Sequence, residues 1–206
     1  MISLFLIIYT LFLSLLLALT STVNTEFGSK VISPSTGILF NNQMDDFSIP
    51  NNTNYFGLAP GSANFPSPKK RPLSSMSPSF VFHKRYGHNA IRLIGGASGG
   101  PKIITGTVQV ILNTIGKGMD LLSAIIAPRI HAQLVPDYIY VEDRVLYNDD
   151  IIKMADRVNR ALTERKQTLL DYSGAMAVTQ FIEIDTETGS IQAVSDPRKG
   201  GKPSTY

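Results

Sequence analysis

A chain of 206 residues, 43% of them hydrophobic and with a net charge of +3, is long enough for one ordinary domain with a substantial core. It has no cysteine, which excludes disulfides, thiolate metal sites and cysteine nucleophiles. His83, His88 and His131 are not spaced as paired ligands, so neither a metal nor a cofactor is expected. The basic clusters Lys69-Lys70-Arg71 and His83-Lys84-Arg85 are not interleaved with aromatics as a nucleic-acid surface would be. They read as solvated loop charge, with no nucleic-acid partner.

The chain opens on an apolar run, Ile2 to Leu19, broken only by Thr10, Ser14 and the Tyr9 hydroxyl. Its 18 residues sit at the short limit for a membrane-crossing helix. No Lys or Arg precedes the run, and no A-x-A site follows it, since Thr20, Ser21 and Thr22 come next. We expect an apolar helix over residues 1–17, serving as anchor, as signal, or as sequence foreign to the domain. A soluble domain then occupies residues 18–206.

Residues 28–78 are rich in Gly, Pro, Ser and Asn and read as loop and turn, which at that length implies function. Ser79 to Phe82 and Leu93-Ile94 read as strands. Val108, Ile111, Leu112 and Ile115 mark one face of a helix, and Leu121 to Ile126 continue as helix until Pro128. Tyr138 to Glu142 suggest a strand. Ile151, Ala155, Val158 and Leu162 form a second helical stripe. Ala177 to Ile184 and Ile191 to Val194 form a hairpin around Glu187-Thr188-Gly189. The order predicts an α+β domain with helix layered on sheet.

Three loop motifs carry chemistry. Asn41-Asn42-Gln43-Met44-Asp45-Asp46 sets two carboxylates beside three amides, which can accept the N–H bonds of an ammonium or satisfy an Asx-rich turn. Ser74 and Ser75 can donate hydroxyl bonds to a carboxylate. Gly95-Gly96-Ala97-Ser98-Gly99-Gly100 fits neither a Walker A loop nor a dinucleotide loop. It can supply an oxyanion hole of backbone N–H groups or a plain tight turn. Together the three describe a pocket for an α-amino acid that carries an acyl group at its far end, which is what a γ-glutamyl group is.

Thr22 to Ser29, Ser35 to Ser48, Lys70 to Pro78, Gly95 to Gly100, Ala127-Pro128-Arg129-Ile130-His131 and the terminus from Ser195 to Tyr206 together resemble the small subunit of γ-glutamyltranspeptidases. The resemblance implies half of an N-terminal-nucleophile hydrolase fold, a four-layer αββα sandwich. It also implies cleavage of the γ-glutamyl amide of glutathione and transfer to water or to an amino-acid or peptide acceptor, on the extracellular side of a membrane or in a secreted protein.

Carried over by the same resemblance, Thr22 supports the nucleophile. Asn24, Gln43 and Asp46 hold the substrate amine, and Ser74 and Ser75 hold its carboxylate. Gly99 and Gly100 form the oxyanion hole, and Phe56 belongs to a lid. The family's nucleophilic threonine falls at Leu4 here, so the nucleophile is absent and the chain is expected to be inactive alone. A large subunit, with the Arg that pairs with the substrate carboxylate, is the implied partner. The alternative is a non-catalytic protein, anchored to a membrane through residues 2–19, that binds γ-glutamyl compounds or pairs with a large subunit.

Overall fold

The structure is a computed structural model that describes residues 2–9, 14–85 and 88–204. Its first element corrects the expected helix. Ile2–Tyr9 (β1) and Ser14–Ser21 (β2) pair as an antiparallel hairpin, with Leu4 opposite Leu19. A short apolar run rich in β-branched and aromatic residues has no period that separates buried strand from buried helix; the neighbouring sheet decides the outcome. Among the described residues no helix is long and apolar enough to cross a membrane.

After β2 the chain runs without a long regular element as far as Pro78. Short 3-10 turns at Gln43–Asp46 and Ser62–Asn64 and a bridge between Ile32 and Leu39 interrupt it. Ser79–Arg85 (β3) and His88–Ser98 (β4) follow, then a helix, Lys102–Ile111 (α1), which widens into a π turn at Leu112–Gly116. Leu121–Ile126 (α2) is capped by Asp120, whose carboxylate accepts the Ser123 N–H at 2.9 Å. The remaining elements are Ile130–His131 (β5), Ile139–Glu142 (β6), Arg144–Tyr147 (β7), Asp150–Lys153 (β8), Asp156–Glu164 (α3), Leu169–Tyr172 (β9), Val178–Ile184 (β10) and Ile191–Ser195 (β11). The helix expected from Ile151 onward begins only at Asp156, and Ile151 lies in β8.

The central sheet has the order β11-β10-β4-β3, all antiparallel; the expected hairpin of the last two strands is present. Alternate residues of β4 serve two layers. Leu93 packs with Val110, Leu121, Ala124, Ile125 and Phe181 under the helices. Ile94, on the opposite face, is also fully buried. Because β3 and β10 occupy both edges of β4, the β1–β2 hairpin that lies against β4 covers that second face. Helix, sheet and hairpin thus form three consecutive layers, α on β on β.

The helix expected over 108–115 is present, but a different face is buried. Ile103, Gly106, Thr107 and Val110 face the sheet, while Val108 and Leu112 are exposed. Size decides the orientation. A Cβ on Gly106 would stand 2.9 Å from the Ala177 Cβ, so the helix approaches the sheet on its small-residue side.

Candidate active site

A cavity of about 380 Å³ opens where the end of β2, the long loop and the start of α1 meet. Thr22, Asn24, Gln43, Asp46, Phe56, Ser74, Ser75 and Gly100 all line it. Gly99 is next to the cavity without lining it. Residues spread over 79 positions of sequence, from 22 to 100, therefore converge on one site.

Strand β2 delivers the first of them. The Thr22 hydroxyl accepts the Asn24 N–H at 2.8 Å, and Asn24 turns into the left-handed region at φ 75°, which asparagine tolerates. The Asn24 side-chain amide then donates to the Asn42 carbonyl at 3.1 Å, tying the strand end to the next motif. In that motif Asn41 Oδ1 accepts the Gln43 N–H at 2.9 Å, and Gln43 Nε2 donates to Asp46 Oδ2. Burial raises the Asp46 pKa above the ordinary carboxylate value. The Gln43 bond opposes the shift, and the neighbouring Asp45 adds to it. A carboxylate in this state gains most from a cation placed against it.

The Ser74-Ser75 side of the cavity is held by Asn64, a residue that carries no motif in the sequence. Asn64 is buried, and its amide donates to the Asp46 carbonyl at 2.8 Å and to Ser48 Oγ at 3.2 Å. Its Oδ1 accepts the Leu73 N–H at 2.9 Å, immediately before Ser74. One side chain therefore fixes the acidic turn relative to the serine pair. Ser74 Oγ accepts the Met76 N–H at 3.2 Å, which leaves the hydroxyl hydrogen available to a ligand.

Gly99 and Gly100 have φ of 133° and 63°, a region that only glycine adopts easily. A Cβ on Gly99 would stand 2.8 Å from the Ala177 Cα, and one on Gly100 would collide with the Phe56 ring. Phe56 thus lies directly against the glycine turn. Asn54, which carries no motif either, fixes the turn that carries Phe56: its Oδ1 accepts the N–H groups of Phe56 and Leu58, both at 3.0 Å. Gly95 and Gly96 lie within β4, opposite Phe181 and Gln180, and serve packing rather than the cavity.

Beneath the turn lies a buried ionic cluster. Arg129 meets Asp196 at 2.7 Å, and Arg198 meets Asp196 at 3.1 Å and Glu142 at 2.6 Å. Burial disfavours the Asp196 charge, but the two guanidinium groups outweigh it and hold the carboxyl below its ordinary range. Arg129 Nη1 donates to the carbonyl of Ala177 at 3.0 Å, and Ala177 itself sits at a positive φ of 63°. The cluster therefore pins a strained residue directly beneath Gly99. The sequence marked Arg129, Asp196 and Arg198 within motifs without giving them a task. Glu142 carried no signal beyond its place in a strand.

The sequence profile of the family described as Gamma-glutamyltranspeptidase matches residues 15–206. Glutathione hydrolase 2 of Arabidopsis thaliana is 42% identical over 92% of this chain, and the glutathione hydrolase proenzyme of Escherichia coli is 40% identical over 88%. The chain spans about a third of the length of these relatives, 33% and 29%. A crystal structure of a γ-glutamyltranspeptidase variant from Helicobacter pylori superposes with a TM-score of 0.78 at 33% identity, covering 95% of this chain and 99% of that one. The three observed layers therefore belong to an N-terminal-nucleophile hydrolase, and the chain is a member of the γ-glutamyltranspeptidase family.

Proposed function

We propose that this chain is the γ-glutamyl-binding half of a glutathione hydrolase/γ-glutamyltransferase and that it cleaves nothing by itself. One observation carries the reading: Asp46, Gln43 and Asn24, the Ser74-Ser75 pair and Gly100 line a single cavity, with Gly99 next to it in sequence. The first group suits an ammonium, the second a carboxylate and the third the oxygen of an acyl group. In this reading Asp46 and Gln43 hold the α-amine of glutathione, and Ser74 and Ser75 its α-carboxylate. The turn would polarise the γ-carbonyl, Thr22 would support an attacking group, and Phe56 would cover the pocket. No cofactor enters the chemistry.

Leu4 occupies the position matched to the family's nucleophile and has no atom that can attack a carbonyl. Cleavage, and transfer to water or to an amino-acid or peptide acceptor, would require a Thr nucleophile that this chain does not supply at that position. A large subunit is the proposed partner, and a secreted or extracellular location is the proposed setting. The exposed Val108 of α1 and Leu112 of the following π turn favour pairing, and with it the second reading of a non-catalytic γ-glutamyl-binding protein that assembles with a large subunit.

Calorimetry tests the proposal. The full chain should bind S-methylglutathione, Asp46→Ala should abolish the binding, and no release of S-methylcysteinylglycine should follow. Absence of binding, or release by the chain alone, overturns it.

A further inference from the structure

Beside the cavity a lysine rests its ammonium on two aromatic rings. Lys102 follows the cavity residues Gly100 and Pro101 and opens α1, whose first turn has no acidic residue. Its ammonium lies 4.8 Å from the centre of the Tyr172 ring and 5.3 Å from that of Tyr140. Among the described residues no Asp or Glu oxygen lies within 4 Å of it.

The rings are themselves fixed. Tyr140 meets Tyr172 edge to face at 5.4 Å, and its hydroxyl pairs with that of Tyr138 at 2.8 Å. Tyr140 also stacks on His131, which is anchored to Thr105 of α1 at 2.8 Å. Cation–π contact with two fixed rings restrains a side chain that is otherwise among the most mobile.

Phe56 covers Gly100, and the exposed Tyr55 meets Phe56 edge to face at 5.1 Å. Suppose a γ-glutamyl group binds as proposed above, with its carbonyl at Gly99-Gly100. The amine side of its amide then points away from Asp46 and Ser74, past Gly100 and Pro101. Two residues joined through that amine extend about 7 Å, and they end in a carboxylate. Lys102 is the cation two residues beyond Gly100.

We propose that Lys102 binds the C-terminal carboxylate of the peptide portion of a γ-glutamyl peptide, against a wall formed by Tyr140 and Tyr172. The inference rests on the γ-glutamyl reading and deepens it: it selects γ-glutamyl peptides with a free carboxylate over γ-glutamyl amines.

The test compares three ligands by calorimetry on the full chain: S-methylglutathione, its C-terminal amide, and γ-glutamyl methylamide. The free acid should bind roughly five- to tenfold more tightly than the amide, the range of one charge-assisted contact near a surface. Lys102→Gln should erase that preference, and Lys102→Arg should keep part of it. γ-Glutamyl methylamide should bind all three proteins alike. Equal affinity for acid and amide in the unmodified chain, or a preference that survives in Lys102→Gln, overturns the proposal. If γ-glutamyl methylamide fails to bind the unmodified chain, the γ-glutamyl reading falls and the role of Lys102 falls with it.

Discussion

The side-chain amide of Asn64 donates to the main-chain carbonyl of Asp46 at 2.8 Å, eighteen residues away, while its oxygen receives the Leu73 N–H at 2.9 Å. This one buried side chain sets the distance between the two walls of the cavity that would hold an amine and a carboxylate. Asn64→Ala strands a carbonyl and an N–H. The expected loss is about 1–3 kcal/mol of stability, read from the denaturation midpoint. Affinity for S-methylglutathione should fall even at temperatures where the variant remains folded, because the walls are no longer held in register.

Asp46 offers the opposite combination. Its folded pKa is raised by burial, so the native state holds its proton more tightly than the unfolded chain does. Stability from this group is therefore fully present below its unfolded pKa and is lost as pH rises through the folded one. At neutral pH the ionised carboxylate is a burden that a bound ammonium relieves. Asp46→Asn should melt no lower than the unmodified chain at pH 7 while losing ligand binding. A lowered melting temperature with binding intact would reverse the assignment.

Much of this was legible in the sequence, and the exceptions share a cause. Gln43, Asp46, Ser74 and Ser75 could be read from residue type, since Asp46 is an acceptor and Ser74 a donor wherever they stand, while Thr22, Asn24 and Phe56 came only through the family resemblance. Asn64 gave no signal, since a lone Asn beside a Phe and a Pro reads as turn, and its worth lies in partners eighteen and nine residues away. In the apolar opening segment nothing local separates strand from helix, because a short continuous apolar run has no period that decides between them. On α1 and the π turn that follows it the more hydrophobic stripe faces outward, because Gly106 and Thr107 permit closer packing on the sheet than Val108 and Leu112 would.

Asp196 is the acceptor shared by Arg129 and Arg198, and Asp196→Asn leaves two buried guanidinium groups with one carboxylate between them. Breaking a buried pair costs about 3–5 kcal/mol, which should appear as a large fall in urea midpoint. Its folded pKa is lowered, so its contribution is present above the unfolded carboxylate pKa and is lost as pH falls through the folded value. The unmodified chain should lose stability on acidification in that range, and Asp196→Asn should show a shallower acid slope. An unchanged slope would mean that other carboxylates set the acid limit.

The glycine turn separates two kinds of obstacle. A methyl group at position 99 meets the Ala177 backbone at 2.8 Å, and that backbone is held by Arg129. It has nowhere to go. A methyl group at position 100 meets the ring of Phe56, which belongs to an exposed turn and can swing outward. Both substitutions place an alanine at positive φ, a strain of about 1–3 kcal/mol in either case. Gly99→Ala should therefore cost more stability than Gly100→Ala, because it adds displacement of the strained Ala177. Gly100→Ala should instead displace the Phe56 turn. Its melting temperature should fall modestly, and protease cleavage around Asn54–Leu58 should quicken. Restoring room with Gly100→Ala/Phe56→Leu should return the cleavage rate toward that of the unmodified chain. No such recovery is expected for Gly99→Ala/Phe56→Leu, because the ring is not what Gly99 avoids.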